Sequence, residues 1–348
     1  MKVAVVCNRH KNGVINTFGL QNQEWYPEET IGLAVKALEE AGHVVRVIEG
    51  DRNLIVQLEN FLPKLSKNEE PGIVFNLALG IQGKCRYTHV PSILEMAGIP
   101  YTGSSPLGHT LALDKAMAKQ VFFANGLPTS EFYVCDDKNQ LKNLKNHLTF
   151  PLVVKPRSEA ASFGLTLVKD EPSLKDAVNF ILDTFTQPAL VEEFIAGREI
   201  NVSIMGNYPP YVFPALELEM EKIDPNVFTY EDKFHISGKK IRKICPADLS
   251  PEVEDRIRHL ALRAYEVLNI YDHARVDMRL DRNNNPFLLE INSMVSINPT
   301  SSLVYAAKVM NLEYNQLINR ILNVALTRYA LEEPEIFGRY KQKNLPKI

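Results

Sequence analysis

The chain is poor in the features that mark specialised protein classes. Its 348 residues hold four cysteines, Cys7, Cys85, Cys135 and Cys245, widely spaced and with no Cys-x-x-Cys pair. That spacing suggests neither a zinc knuckle nor a disulfide framework, and reduced, mostly buried thiols are the plain expectation. No run reaches the ~18 to 20 consecutive apolar residues that span a bilayer, and the apolar start of MKVAVVCNRHKNG is too short for a signal-peptide core. The expected location is therefore cytoplasmic, with no membrane partner. Charge of neither sign dominates: 39 Lys+Arg against 42 Asp+Glu give a formal net charge of -3, which leaves no general electrostatic footprint for nucleic acid. Internal repeats, low-complexity tracts, a P-loop pattern and Gly-x-Gly-x-x-Gly are all missing.

What remains is a globular composition, 45% hydrophobic and 9% aromatic, with enough burial to offset chain entropy. The length suits two or three small domains or one multi-lobed enzyme. Short apolar runs at 2–7, 44–48 and 73–77 alternate with helical spacing over 27–41, a β-α-β-α-β order that predicts a parallel sheet covered by helices. In such sheets ligands sit at the carboxyl ends of the strands, so the loops after Cys7 and after Asn76 are expected to face a site. A helix opening at Lys115 is stopped by Gly126 and Pro128. From 150 to 220 the pattern changes to short β runs (151–155, 164–168, 189–194, 199–206, 211–219) with one helix over 174–183, which predicts an α+β lobe of mainly antiparallel strands. A helix over 251–268, β runs at 273–281 and 286–292, and helices over 301–310 and 314–329 complete the pattern. The expected division is 1–105, 106–200 and 201–330, with a polar tail over 331–348.

Three sets of residues carry chemistry. Asp277, Glu290 and Asn292 lie on adjacent β runs joined by a short turn, and Glu290 and Asn292, two apart, share a face. Two carboxylates and an amide oxygen form a hard, all-oxygen site suited to Mg²⁺ shared with nucleotide phosphates. Lys115 opens a helix and Lys155 ends an apolar strand before the small-residue connection 157–164; backbone amides and a hydroxyl there can close over phosphates while a lysine neutralises them. Third, the strand end Leu190-Val191-Glu192-Glu193-Phe194-Ile195 is followed by Glu199, a backbone edge for an adenine and an acid for a ribose. Taken singly, each set is also explained by strand-end polarity or a surface hairpin.

Taken together, LALDKAMAK, VVKPRSEAASFG, VEEFIAGREINV, YEDKF, ICPADL, ARVDMRLD and LLEIN follow one another as in ATP-grasp ligases, and from about residue 75 to 322 the chain resembles the D-alanine:D-alanine ligase group. The resemblance implies an ATP-grasp fold of α/β and α+β class: three lobes, an amino-terminal parallel α/β domain and ATP clamped between two α+β lobes. It implies that Lys115, Lys155 and Ser162 meet ATP phosphates, that Glu192, Glu193, Phe194 and Ile195 hold adenine, and that Glu199 holds the ribose. Lys233 would reach the γ-phosphate. Asp277, Glu290 and Asn292 would bind two Mg²⁺ ions, and Arg275 would stabilise the transferring phosphoryl group. The implied chemistry is an acyl phosphate opened by an amine, in which positioning and charge neutralisation dominate. A homodimer is also in keeping with the group.

Departures are as informative. Residues 79–86, Leu-Gly-Ile-Gln-Gly-Lys-Cys-Arg, stand where the group has a His-Gly and an acidic turn; Ala161 replaces a serine, Phe234 a tyrosine, and Val295-Ser296 a Pro-Gly. These changes predict a substrate pocket unlike that of a D-alanine:D-alanine ligase, with Ser296 as a candidate catalytic residue. Arg86, beside the expected pocket, is a candidate for binding a substrate carboxylate, with His89 orienting it, and Ser301 and Ser302, opening a helix, are candidates for cradling an anion; surface exposure and helix capping are their plainer roles. Glu24 and Glu28 are weaker acceptor-site candidates. The leading expectation is an ATP-dependent carboxylate-amine ligase joining small molecules, amino acids among them. A ligase acting on a peptide or protein terminus and a non-catalytic ATP-binding protein are the alternatives.

Overall fold

The structure, a computed structural model, describes residues 1–9, 17–18, 21–62, 72–141, 149–220 and 241–329. Strands β1 (Lys2–Cys7), β2 (Val44–Glu49) and β3 (Ile73–Leu77) form a parallel sheet in the order β2-β1-β3, as the alternation predicts. The period-2 pattern of β1 divides its side chains between two cores. Val3, Val5 and Cys7 face one that includes Ile31 and Leu38 of helix α1 (Glu28–Glu40), while Ala4 and Val6 face one with Leu54 and Leu58 of α2 (Leu54–Glu59) and Leu94 of α3 (His89–Ala97).

Two short helices follow, α4 (Pro106–Leu113) and α5 (Lys115–Ala124). Asp114 separates them: it adopts an extended conformation and its side chain accepts from the Met117 N–H, capping α5. Strands β4 (Phe132–Cys135), β5 (Leu152–Pro156), β6 (Thr166–Val168) and β7 (Ala189–Glu193) build a small antiparallel sheet in the order β4-β7-β5-β6, with α6 (Glu171–Phe185) packed on it. Helix α6 begins three residues earlier than apolar spacing suggests because Asp170 and Ser173 form a capping box with Pro172 in the first turn.

A larger sheet, β11-β10-β8-β12-β13 with β9 beside β8, contains β8 (Arg198–Met205), β9 (Tyr211–Val212), β10 (Leu216–Met220), β11 (Ile241–Ile244), β12 (His273–Leu280) and β13 (Pro286–Asn292). Residues 150–220, expected as one run of strands, are thus shared between two sheets. The expected strand over 211–219 is also two strands, because Pro214 has no N–H for a ladder. Helix α7 (Pro251–Val267) covers the large sheet through Ile257, Ala261 and Ala264. Helices α8 (Ser302–Val309) and α9 (Tyr314–Arg328) return to the core of the first sheet, where Leu317, Ile321 and Leu322 pack with α1. No helix among the described residues is long and apolar enough to cross a membrane.

Candidate active site

One cavity of about 1170 Å³ runs between the small and large sheets and reaches the segment before α1. It is larger than a single small ligand usually requires. Its large-sheet wall is set by the register of β12 and β13, which places Asp277 opposite Glu290 and Arg275 opposite Asn292. The register then slips by one, so that Leu289 has no partner on β12, and Leu289 and Glu290, although adjacent, both line the cavity.

Asp277 is held from several sides. Arg275 grips it bidentately, Nε on Oδ1 and Nη2 on Oδ2, both at 2.6 Å. Asn201 on β8 donates to Oδ1 at 2.8 Å and Asn292 to Oδ2 at 2.9 Å. Asn201 in turn accepts from the buried Ser302 hydroxyl at 3.0 Å, which ties α8 to the acid. Glu290 pairs with Lys115 Nζ at 3.3 Å. Burial alone pushes its carboxyl up, but Lys115, Lys155 and Arg275 outweigh that and hold it at about 2.

The small-sheet wall is organised around another acid. Lys155 Nζ lies 2.5 Å from Glu192 Oε1 and Lys119 Nζ 2.8 Å from Oε2. Lys119, 0% exposed, also donates to the hydroxyls of Thr129 (2.7 Å) and Ser130 (2.8 Å), so all three of its N–H groups are satisfied. Burial would raise the Glu192 carboxyl, yet the two lysines draw it down to about 2.

Between the walls, Arg279 donates to the carbonyls of Ile195 (2.6 Å) and Gly197 (2.8 Å), pairs with Glu199 at 3.1 Å, and stacks on the Phe194 ring. Burial pushes the Glu199 carboxyl up to about 7 despite Arg279. The Glu193 and Phe194 N–H groups donate to the carbonyls of Glu131 and Pro151. Three of the backbone groups expected to face an adenine therefore already have partners. Ser162 lines the cavity with Ala161 beside it, both at φ 58, so the phosphate-loop candidate turns sharply through left-handed backbone at two non-glycine residues.

At the other end, the Tyr26 hydroxyl donates to the Val295 carbonyl, and Ser296 accepts from the Asn298 N–H at 3.2 Å. Ser301 caps α8 through the Val304 N–H. Ser296, Ser301 and Ser302 all line the cavity, as does Glu24. Arg86 does not reach it: the guanidinium is buried behind Glu24, and its contacts go to protein. His89 is not among the described residues that line it. Lys233 and Phe234 lie outside the described residues. The reading by motif missed Lys119, Asn201, Arg279 and Lys243, the last donating to the Thr300 carbonyl. The signal for Arg279 was available, since Arg275, Asp277 and Arg279 alternate along one face of β12.

Cationic and acidic strand residues facing each other across a cleft between two antiparallel sheets, beside a parallel α/β unit, define an ATP-grasp ligase, an ADP-forming enzyme that makes carbon–nitrogen bonds. The D-alanine–D-alanine ligase of Bacillus anthracis, solved in complex with ATP, matches with TM-score 0.72 over 95% of this chain and 99% of that one at 21% identity. The VanG D-Ala:D-Ser ligase of Enterococcus faecalis matches with TM-score 0.71 over 93% and 99%, also at 21% identity. A family model for the D-Ala D-Ala ligase C-terminus matches residues 121–323. The chain is 32% identical over 299 residues to the D-alanine–D-alanine ligase of Synechococcus sp. strain JA-2-3B'a(2-13), covering 85% of this chain and 87% of that one. It is 43% identical over 333 residues to the uncharacterized protein y4sG of Sinorhizobium fredii strain NGR234, covering 94% and 98%. This chain belongs to the D-alanine–D-alanine ligase family.

Proposed function

We propose that the protein joins a small carboxylic acid to a small amine, amino acids among them, through an acyl phosphate, and that its substrate pair is not two D-alanines. The observation that carries the reading is the single cavity in which Lys115 and Lys155 face Asp277, Glu290, Asn292 and Arg275. ATP lies between the two sheets, its phosphates at Lys115, Lys155 and the Ser162 loop, its adenine at 192–195 and its ribose at Glu199. Lys233 is assigned to the γ-phosphate.

The metal reading rests on donor chemistry. Asp277, Glu290 and the Asn292 amide are hard oxygen ligands, brought together by the β12–β13 register, with Arg275 and Lys115 now balancing the two acids. Mg²⁺ held there supplies charge neutralisation at the phosphates. A substrate carboxylate attacks the γ-phosphorus, ADP leaves, and Arg275 balances the charge of the transferring group. The amine then attacks the carbonyl carbon of the acyl phosphate, loses a proton, and inorganic phosphate departs as the amide forms.

The departures at 79–86, Ala161, Phe234 and Val295-Ser296 support a pair other than two D-alanines. The test is phosphate release from Mg-ATP across a matrix of amino acids, D-alanine included, and small carboxylic acids, with mass spectrometry on every active pair. The expected product is lighter than the sum of its substrates by one water. Activity confined to D-alanine with itself would sink the pocket reading; ATP binding with silence across the matrix would favour a peptide or protein terminus as acceptor or a non-catalytic role.

A further inference from the structure

Arg86 does not reach the cavity, yet both terminal nitrogens of its guanidinium are engaged while the buried Nε is left without a hydrogen-bond partner. It is 2% exposed. Its Nη1 donates to the Ser158 carbonyl at 2.8 Å, and its Nη2 lies 3.2 Å from Glu24 Oε2 and 3.2 Å from Glu159 Oε2. The two carboxylates come from different parts of the fold. Glu24 belongs to the segment before α1, whereas Glu159 lies in the connection between β5 and β6 that carries Ser162, and both line the cavity.

Each arm is braced. On one side the Tyr87 hydroxyl donates to Glu24 Oε2 at 2.7 Å; burial and the neighbouring Glu24 push this phenol far up, so it stays a donor. Asn22 anchors the same segment by donating to the carbonyls of Leu79 and Gly80 and accepting from the Glu24 N–H. Gly80, at φ +74, allows the close approach: a Cβ there would stand 2.3 Å from the Arg86 carbonyl oxygen. On the other side Glu159 Oε1 accepts from Gln187 at 2.9 Å, and Gln187 accepts from the Ser158 N–H at 2.8 Å. The Glu159 carbonyl accepts from Lys115, which pairs with Glu290. A continuous polar chain therefore runs Glu24–Arg86–Glu159–Lys115–Glu290.

We propose that Arg86 is a positioning residue that locks the Glu24 segment to the phosphate loop, so that nucleotide binding at that loop sets the position of the Glu24 segment. The proposal rests on the reading of the cavity as an ATP site. One guanidinium shared by two carboxylates transmits displacement because both acids contact the same buried Nη2, so that either one, on moving, draws the guanidinium with it or leaves that nitrogen short of an acceptor.

The chain carries its own reporter. Trp25, its single tryptophan, follows Glu24, is 59% exposed and lines the cavity. The experiment is a titration of the full chain with Mg-ATP, followed by calorimetry for binding and by tryptophan emission for the Glu24 segment, in wild type, Arg86→Lys, Arg86→Met and Glu159→Gln. In wild type the two readouts are expected to share a midpoint. Arg86→Met and Glu159→Gln should retain the calorimetric binding and lose most of the emission change, with Arg86→Lys keeping part of it. Arg86→Met removes a cation from between two acids; if it fails to fold, Glu159→Gln, which keeps the shape of the arm, carries the test. An unaltered emission response in either variant, or a wild-type protein that binds ATP with Trp25 silent, overturns the clamp. A folded wild type that gives no binding heat overturns the ATP reading, and the clamp with it.

Discussion

Glu192 and Glu199 are the same residue type, lie seven positions apart and line the same cavity, yet they sit at opposite ends of the carboxylate range. Glu192, on the small sheet, has two lysines and a serine hydroxyl on its carboxylate and is held at about 2. Glu199, on the large sheet, has only Arg279, which also serves two carbonyls, and burial pushes it up to about 7. Burial is common to both; two lysines in contact outweigh it at Glu192, whereas at Glu199 the nearby acids Asp277 and Glu290 add to it against Arg279 and Arg275. The small-sheet wall is thus a closed electrostatic unit with a surplus positive charge, suited to phosphates. On the large-sheet wall Arg275 grips Asp277 bidentately and Glu290 is held by Lys115 with Lys155 and Arg275 nearby, while Glu199 stays high.

The contrast is broken most severely at Lys119. Lys119→Met strips Glu192 of one cation and removes the donor to the Thr129 and Ser130 hydroxyls; it should cost about 3–5 kcal/mol in a denaturant titration. A loss below 1 kcal/mol would show that the small-sheet unit is not closed. On the opposite wall, Arg275→Ala should lower turnover on an active substrate pair by roughly 10²–10³-fold while calorimetric ATP binding persists. Turnover within a few fold of wild type would remove Arg275 from the chemistry.

Glu199 sharpens the comparison through pH. Its folded value, about 7, lies above the ordinary 4.5, so between those values the folded protein binds the extra proton and stability falls as pH rises. Each unit is worth roughly 1.4 kcal/mol, and partial solvent access reduces the total to about 1–3 kcal/mol. Glu199→Gln should flatten the nucleotide-free stability profile from pH 4.5 to 7; a profile of unchanged slope would contradict the assignment. Smallest of all, Asp170→Ala breaks the capping box of α6 at about 1 kcal/mol and should leave ATP binding unchanged, since that cap is on the outer helix of the small sheet. A weakened ATP affinity would mean that the wall and its covering helix are not independent.

Much of this was legible in advance, for reasons particular to each element. The spacing of Glu290 and Asn292 places both on one face once the run is a strand, and the hairpin turn at 282–285 brings Asp277 across from them. The parallel unit was readable from its alternating order. Partners set by tertiary contact were not readable. Asn201 meets Asp277 across 76 positions and Arg86 meets Ser158 across 72, and no local pattern encodes either. Local signals were also passed over, the Asp170–Ser173 box and Pro214 among them. Arg86 is the sharpest lesson: by sequence a cation beside the expected pocket reads as a ligand contact or a surface residue, whereas the structure buries it against two half-buried acids.

The core of the first sheet has a further consequence. Val3 and Val5 pack in one cluster with Leu317, Ile321 and Leu322 of α9, so the two ends of the described chain complete the same core. During synthesis, one face of β1 stays without its last cover until residue 322 has left the ribosome. Strand β1 is therefore fully buried only late in synthesis, and chaperone engagement during translation should concentrate on the parallel-sheet unit.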